Sequence, residues 1–310
     1  MPAVLFHSKN DSPEDWEAGL SKFIPNLDFR VWPDIGNPSE IEFALIWALP
    51  PGSLKKMTNL QCICSLGQGV DHIFNDPEIP EKARIMRLVD PWMAQAMSEW
   101  ILLNVLRFHR QGVEYEQFER EKKWHVLPPP ETSDRKVGIL GLGELGSDAA
   151  KKIAFLGFDV AGWSKSQKDI KNVKSFFGEN QLEQFLGRTD ILCCLLPLTR
   201  ETNGILNREA LNKLPNGAYI INAGRGPHIV DEDLLDAIDS GQIAGAALDV
   251  FHQEPLPETH PYWMHPKVRV WPHVSAQSNA GSAAKQVADA ITKVFGGEDP
   301  DNLINRKNQY

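Results

Sequence analysis

Residues 137–146 read VGILGLGELG, an apolar strand pattern that runs into three glycines at G-x-G-x-x-G spacing and then into a helical pattern. Few stretches restrict a fold as strongly. Gly141 permits a tight turn, Gly143 lets phosphates approach the backbone, and Gly146 lets helix and strand pack closely. The helix beginning near Glu144 then points its N-terminal amides at an anion. Strand, glycine turn and helix in this order predict the first unit of a parallel, doubly wound sheet that binds a dinucleotide. Two rivals share the pattern: a tight turn without a ligand, and a methyltransferase using an adenosyl cofactor.

The rest of the chain agrees with the first reading. From residue 136 onward, KVGILG, FDVAGW, DILCCLL, AYIIN, AGAALDVF and VRVW read as strands, with helical patterns such as ELGSDAAKKIAFLG and DEDLLDAIDSG between them. Six strands is the count of a complete dinucleotide-binding sheet. An earlier alternating series precedes the turn: AVLFH (3–7), FRVW (29–32), FALIW (43–47), QCICSL (61–66) and ARIMRL (83–88). In SPEDWEAGLSKF, Ser12 is placed to cap a helix with Pro13 at its first position. Residues 94–112 form the longest amphipathic helical pattern, and Pro128–Pro130 close the segment after it. The expected fold is α/β, with two Rossmann-like doubly wound parallel-sheet domains and a cleft between them. A flavodoxin-like substrate-binding domain would comprise residues 1–98 plus 281–310, and a dinucleotide-binding domain residues 99–280.

With 310 residues the chain is long enough for two such cores. A net charge of −9 argues against broad binding to nucleic acid or anionic lipid. No apolar run approaches the roughly 20 residues needed to span a bilayer. MPAVLFHSKNDSPEDW lacks a basic leader and reads as a first strand rather than a signal peptide. Cys62, Cys64, Cys193 and Cys194 lack zinc-knuckle spacing, so they are expected to be reduced core residues of a cytoplasmic protein with no metal site.

The second strand of a dinucleotide sheet normally ends, roughly twenty residues after the turn, in an acid that holds the ribose hydroxyls of NAD. Here VAGWSKSQ offers Ser164 and Lys165 instead, while Asp159 starts that strand at the wrong end and Asp169 lies too far along. An Asp about 4 Å from a 2′-phosphate would cost roughly 4 kcal/mol per unit charge at an effective dielectric near 20. A hydroxyl and an ammonium favour that phosphate, so NADPH is expected over NADH.

Three further stretches each follow a strand of the second sheet: NAGRG (222–226), DVFHQEP (249–255) and WPHVSAQ (271–277). Strand carboxyl ends line the ligand crevice in such sheets, so Arg225, Glu254 and His273 should converge. Together they suit reduction of a 2-oxo acid. Arg would hold the carboxylate in a bidentate fork, His would protonate the keto oxygen, and Glu would orient the imidazole and favour its charged form. The other histidines, His252 among them, are read as surface or core.

These residues carry a resemblance. GLGELG, LLPLTRETNGILN, GAYIINAGRGPHIVDEDLLDAIDSGQIAGAALDVF, QEPLP and HPKVRVWPHVSA together resemble a D-2-hydroxyacid dehydrogenase over nearly the whole chain. SLGQGVDHI and WSKS are similar to the short glyoxylate/hydroxypyruvate reductases of that family. The resemblance implies catalytic Arg225, Glu254 and His273. It implies cofactor contacts from Gly141, Gly143, Leu145, Gly146, Ser164, Lys165, Pro197, Thr202 and Ala223, with Asp249 near the nicotinamide carboxamide. It implies that backbone amides of Gln68 and Gly69 hold the substrate carboxylate, with Arg225, and that Trp47, Leu49 and Trp92 face the substrate. It also implies a homodimer formed through the nucleotide lobes. The alternative on the same scaffold is a dinucleotide-sensing, co-repressor-like binding protein.

Overall fold

The structure is a computed structural model that describes residues 3–306. It consists of two compact units, Met1–Met93 with Gln277–Tyr310, and Ala94–Ala276.

In the first unit five strands, β1 (Ala3–His7), β2 (Asp28–Val31), β3 (Ile41–Ile46), β4 (Cys62–Ser65) and β5 (Arg84–Arg87), form one sheet in the order β2-β1-β3-β4-β5. All four pairings are parallel. Helices α1 (Pro13–Ser21), the one-turn α2 (Asp71–Phe74) and the start of α3 (Pro91–His109) belong to this part of the chain. Ser12 caps α1 by accepting from the Asp15 amide, with Pro13 at the first helical position.

The second unit contains the rest of α3, then α4 (Gly112–Arg120) and seven strands. These are β6 (Lys136–Leu140), β7 (Asp159–Ser164), β8 (Val173–Phe177), β9 (Ile191–Cys194), β10 (Ala218–Asn222), β11 (Ile243–Leu248) and β12 (Val268–Val270). Helices α5 (Glu144–Phe155), α6 (Leu182–Gly187), α7 (Arg208–Lys213) and α8 (Asp231–Asp239) connect them. The sheet order is β12-β11-β10-β9-β6-β7-β8, parallel throughout. The chain then returns to the first unit as α9 (Ala280–Phe295), where Gly19 of α1 sits so close to α9 that an added Cβ would lie 3.0 Å from the Ala284 Cβ.

Both orders are doubly wound, and both reverse direction where ligands bind in such sheets: between β1 and β3, and between β6 and β9. Strands that are covered on both faces need apolar side chains on both. Adjacent Cys193 and Cys194 therefore enter different cores, Cys193 with Ile139 and Ile221, Cys194 with Leu140 and Ile220. All four cysteines are buried and unpaired, and burial raises every one of these thiols, Cys62 and Cys194 to about 12.

Two elements depart from the sequence reading. β8 makes the sheet seven-stranded rather than six, because VKSFF is an edge strand whose half-exposed side chains leave no apolar run. The pattern at 94–112 is α3 followed by a break: Gln111 adopts a left-handed conformation (φ 58°) and α4 begins at Gly112.

Candidate active site

The glycine turn fits a nucleotide phosphate. Gly141 has φ +100°, and its backbone packs on Leu195 so closely that a Cβ would lie 2.7 Å from the Leu195 carbonyl oxygen. A Cβ on Gly146 would lie 1.8 Å from the Gly141 carbonyl oxygen, so α5 can reach β6 only with glycine there. Around Gly143 the opposite holds, with nothing within 4 Å of an added Cβ. That open approach lies at the N-terminus of α5, where Leu145 and Gly146 place their amides.

At the end of β7, Ser164 is buried and its hydroxyl donates to the Ser166 carbonyl (2.7 Å). Lys165 lies near enough to Glu201 for its charge, with that of Arg200, to help hold the Glu201 carboxyl below its ordinary value, after a hydrogen bond with Thr199 and one to its own backbone. The β7 end and the loop after β9 are therefore neighbours. Asp159, at the opposite end of β7, is paired with Arg188. In the β9 loop, the Thr202 hydroxyl donates to the Pro197 carbonyl (2.7 Å) and accepts from the Thr199 amide (2.8 Å). Ala223, just beyond β10, is buried.

Glu254 and His273 meet. His273 Nδ1 lies 2.7 Å from Glu254 Oε2, and the other carboxylate oxygen accepts from the Phe251 amide at 2.9 Å. The imidazole is 31% exposed, so it keeps a route to a ligand. Burial pushes the Glu254 carboxyl upward. The hydrogen bond and charge of His273, the Phe251 amide and the charge of Arg225 outweigh it, and Glu254 is held below the ordinary carboxylate value. Arg225 thus acts electrostatically on the same pair.

The Arg225 loop is built by its neighbours. Asn222 is fully buried at the end of β10, accepting from the Gly224 amide and donating to the Arg225 carbonyl. His228, also fully buried, takes the Arg225 amide on Nδ1 (3.0 Å) and lies 3.3 Å from the Pro197 carbonyl through Nε2. A Cβ on Gly226 would fall 2.0 Å from the Phe251 carbonyl carbon, so this glycine allows the Arg225 loop to lie against the segment leading to Glu254. Neither Asn222 nor His228 was singled out from sequence. Asn222 bonds only backbone groups of its own loop, and His228 joins that loop to Pro197 in the β9 loop, so no side-chain spacing marks either of them.

Asp249 is fully buried, and its two oxygens accept from the Val274 and Ser275 amides, each at 2.9 Å, while its carbonyl accepts from the His273 amide. Its visible work is to hold the His273 turn, where His273 itself has a left-handed φ of 53°. In the first unit, Trp47 and the Gln68–Gly69 loop lie together: an added Cβ on Gly67 would meet the Trp47 ring at 2.6 Å. Leu49 is buried in the core, and Trp92 is 53% exposed near the start of α3. Among the described residues, no group of three or more His, Cys, Asp or Glu is arranged to hold a metal ion, and no helix is long and apolar enough to cross a membrane.

A doubly wound nucleotide sheet with Arg, Glu and His at its carboxyl edge defines a dehydrogenase-type scaffold. The family model for the D-isomer specific 2-hydroxyacid dehydrogenase NAD-binding domain matches residues 102–275, and the chain belongs to this family. Within it, the chain is 38% identical to glyoxylate/hydroxypyruvate reductase A of Serratia proteamaculans (strain 568), over 97% of this chain and 98% of that protein. It superposes with a TM-score of 0.95 on a D-isomer specific 2-hydroxyacid dehydrogenase from Xanthobacter autotrophicus Py2 in complex with NADPH and MES, at 38% identity, covering 100% of this chain and 99% of that one. An NADPH-dependent glyoxylate/hydroxypyruvate reductase from Sinorhizobium meliloti, in complex with NADP and sulfate, gives 0.92 at 35% identity over 100% of both chains.

Proposed function

We propose that this protein uses NADPH to reduce a small 2-oxo acid to the 2-hydroxy acid, either glyoxylate to glycolate or hydroxypyruvate to its D-2-hydroxy acid. The observation that carries the reading is the 2.7 Å contact between His273 and Glu254, on loops beside that of Arg225 and behind the glycine turn. When bound, the reduced nicotinamide supplies the hydride. The turn at Gly141, Gly143 and Gly146, with the Leu145 amide, would hold the pyrophosphate, and Pro197, Thr202 and Ala223 belong to loops at the same sheet edge. Ser164 and Lys165 would take the 2′-phosphate, because no carboxylate stands at the end of β7 to repel it.

Arg225 would grip the substrate carboxylate through its guanidinium fork. In the first unit, the amides of Gln68 and Gly69 would offer donors suited to a carboxylate, with Trp47 and Trp92 as the aromatic residues proposed to face substrate. An ionised Glu254 can only accept, so the proton of the His273–Glu254 bond resides on Nδ1 and Nε2 is the nitrogen that exchanges protons. His273 would deliver the Nε2 proton to the keto oxygen as the carbon accepts hydride. Asp249 would keep the His273 turn in place.

We place the protein in the cytoplasm, in keeping with four unpaired, buried cysteines. We also propose a homodimer, supported by exposed apolar residues on α3, α4 and the segment beyond: Leu103, Leu106, Tyr115, Trp124 and Val126. The functional reading is tested by following NADPH and NADH oxidation with a panel of glyoxylate, hydroxypyruvate, pyruvate and larger 2-oxo acids. Turnover with NADPH and either glyoxylate or hydroxypyruvate is expected. Inertness toward every member rejects the reading, and a preference for NADH rejects the assignment of Lys165.

A further inference from the structure

The loop that joins β4 to α2 is anchored by a hydrogen-bonded hub outside the Arg225–Glu254–His273 set. Ser65, the last residue of β4, is fully buried. Its hydroxyl oxygen lies 2.7 Å from the Gly69 carbonyl and 2.9 Å from His72 Nε2, and accepts from the Gly67 amide at 3.2 Å. His72 Nδ1 in turn accepts from the Ala48 amide at 3.2 Å. These contacts fix every proton. Since Nδ1 accepts from an N–H, the ring proton sits on Nε2 and is donated to Ser65. The Ser65 hydroxyl must then donate to Gly69, the one partner that offers only an acceptor.

The hub also fixes a strained residue. Ala48, just past β3, has a left-handed φ of 50°, which a side-chain-bearing residue holds only when its surroundings impose it. Trp47 packs on the His72 ring with centroids 4.4 Å apart. Ser65 thus holds the peptide entering Gly67 and the peptide leaving Gly69. The two amides between them, of Gln68 and Gly69, take no part in the hub. Beside them the Gln68 side-chain nitrogen is buried without a hydrogen-bond partner among the described residues.

We propose that His72 and Ser65 are positioning residues of a carboxylate-binding loop. As the neutral Nε2–H tautomer, His72 ties the end of β3 to the end of β4. Through Ser65 it aims the Gln68 and Gly69 amides at the carboxylate of a 2-oxo acid. The proposal rests on the reductase reading above, and it assigns these two side chains to substrate affinity rather than to chemistry or cofactor binding.

The test uses the full-length chain with His72→Phe, which keeps a ring against Trp47 but no nitrogen, Ser65→Ala, and the double variant. Backbone amide exchange over residues 66–70 is measured by mass spectrometry, and KM for glyoxylate and for NADPH by steady-state kinetics. Each single variant should speed exchange in this segment and raise the glyoxylate KM by about tenfold, with kcat and the NADPH KM within about twofold. The double variant should be no worse than the poorer single one, because both remove the same hub. Unchanged exchange, an unchanged glyoxylate KM, or an NADPH KM that rises in parallel would overturn the proposal. If His72→Phe fails to fold, Ser65→Ala, which adds no bulk, decides by the same readouts. A wild-type protein inert toward all 2-oxo acids sinks the reductase reading and this proposal with it. An active wild type matched by its variants sinks the proposal alone.

Discussion

At the residue scale, the chemistry depends on one proton position. Glu254 accepts a hydrogen bond from the Nδ1–H of His273 and leaves Nε2 for the substrate. His273→Ala should therefore lower kcat by about 10²–10⁴ while the dissociation constant for NADPH, read by fluorescence titration, barely moves. Equal turnover would remove His273 from the mechanism. Glu254 makes a separate prediction. Its folded carboxyl is depressed, because hydrogen bonds and cations outweigh burial. A depressed carboxyl contributes stability above its unfolded value and loses it as pH falls through the lower folded one. The difference in melting temperature between wild type and Glu254→Gln should thus be full near neutrality and close as pH drops below about 4 to 5. A pH-independent difference would show that the carboxylate charge is not what Glu254 contributes to stability. Arg225, Glu254 and His273 were legible because each follows an apolar strand of one sheet, and such strands deliver their carboxyl ends to one edge. His228 and His72 were not legible, since His228 links the Arg225 amide of its own loop to Pro197, 31 positions away, and His72 links Ala48 and Ser65, 24 and 7 positions away.

At the element scale, the strand–turn–helix unit separates two functions that the glycine spacing joins. Gly146 is packed against backbone that cannot yield, and Gly143 faces open space with an ordinary negative φ of −76°. Gly146→Ala should cost about 1–3 kcal/mol of stability, by overpacking, and weaken nucleotide binding as α5 shifts. Gly143→Ala should leave the melting temperature of the ligand-free protein nearly unchanged and still weaken NADPH binding, because its Cβ enters the space proposed for the pyrophosphate. Calorimetric melting and an NADPH titration on both variants would check this; equal losses of stability would contradict the contrast. Elements rich in β-branched or apolar residues, such as AVLFH and AYIIN, declare themselves in sequence because both their faces are covered. β8 does not, because an edge strand with Val173, Lys174 and Ser175 half or fully exposed gains its identity from pairing with β7 alone.

At the scale of the whole molecule, the surface of the second unit raises the question of a second copy. Trp124 is 98% exposed and Val126 75%, with Leu103 and Leu106 half-exposed on α3. Isolated exposed apolar residues are ordinary, but five between positions 103 and 126 on consecutive elements form the kind of surface that association covers. The negative net charge of the chain disfavours indiscriminate clustering, so any association here must be driven by apolar contact. If this surface joins two copies, sedimentation should give twice the 34.8 kDa chain mass, insensitive to salt. Trp124→Glu would place a charge in that contact and should shift the protein to the single-chain mass, while its melting temperature in dilute solution, where association is already weak, changes little. A wild-type protein that sediments at 34.8 kDa over the micromolar range would leave these residues without a partner copy, and a Trp124→Glu variant that remains double the mass would move the interface elsewhere.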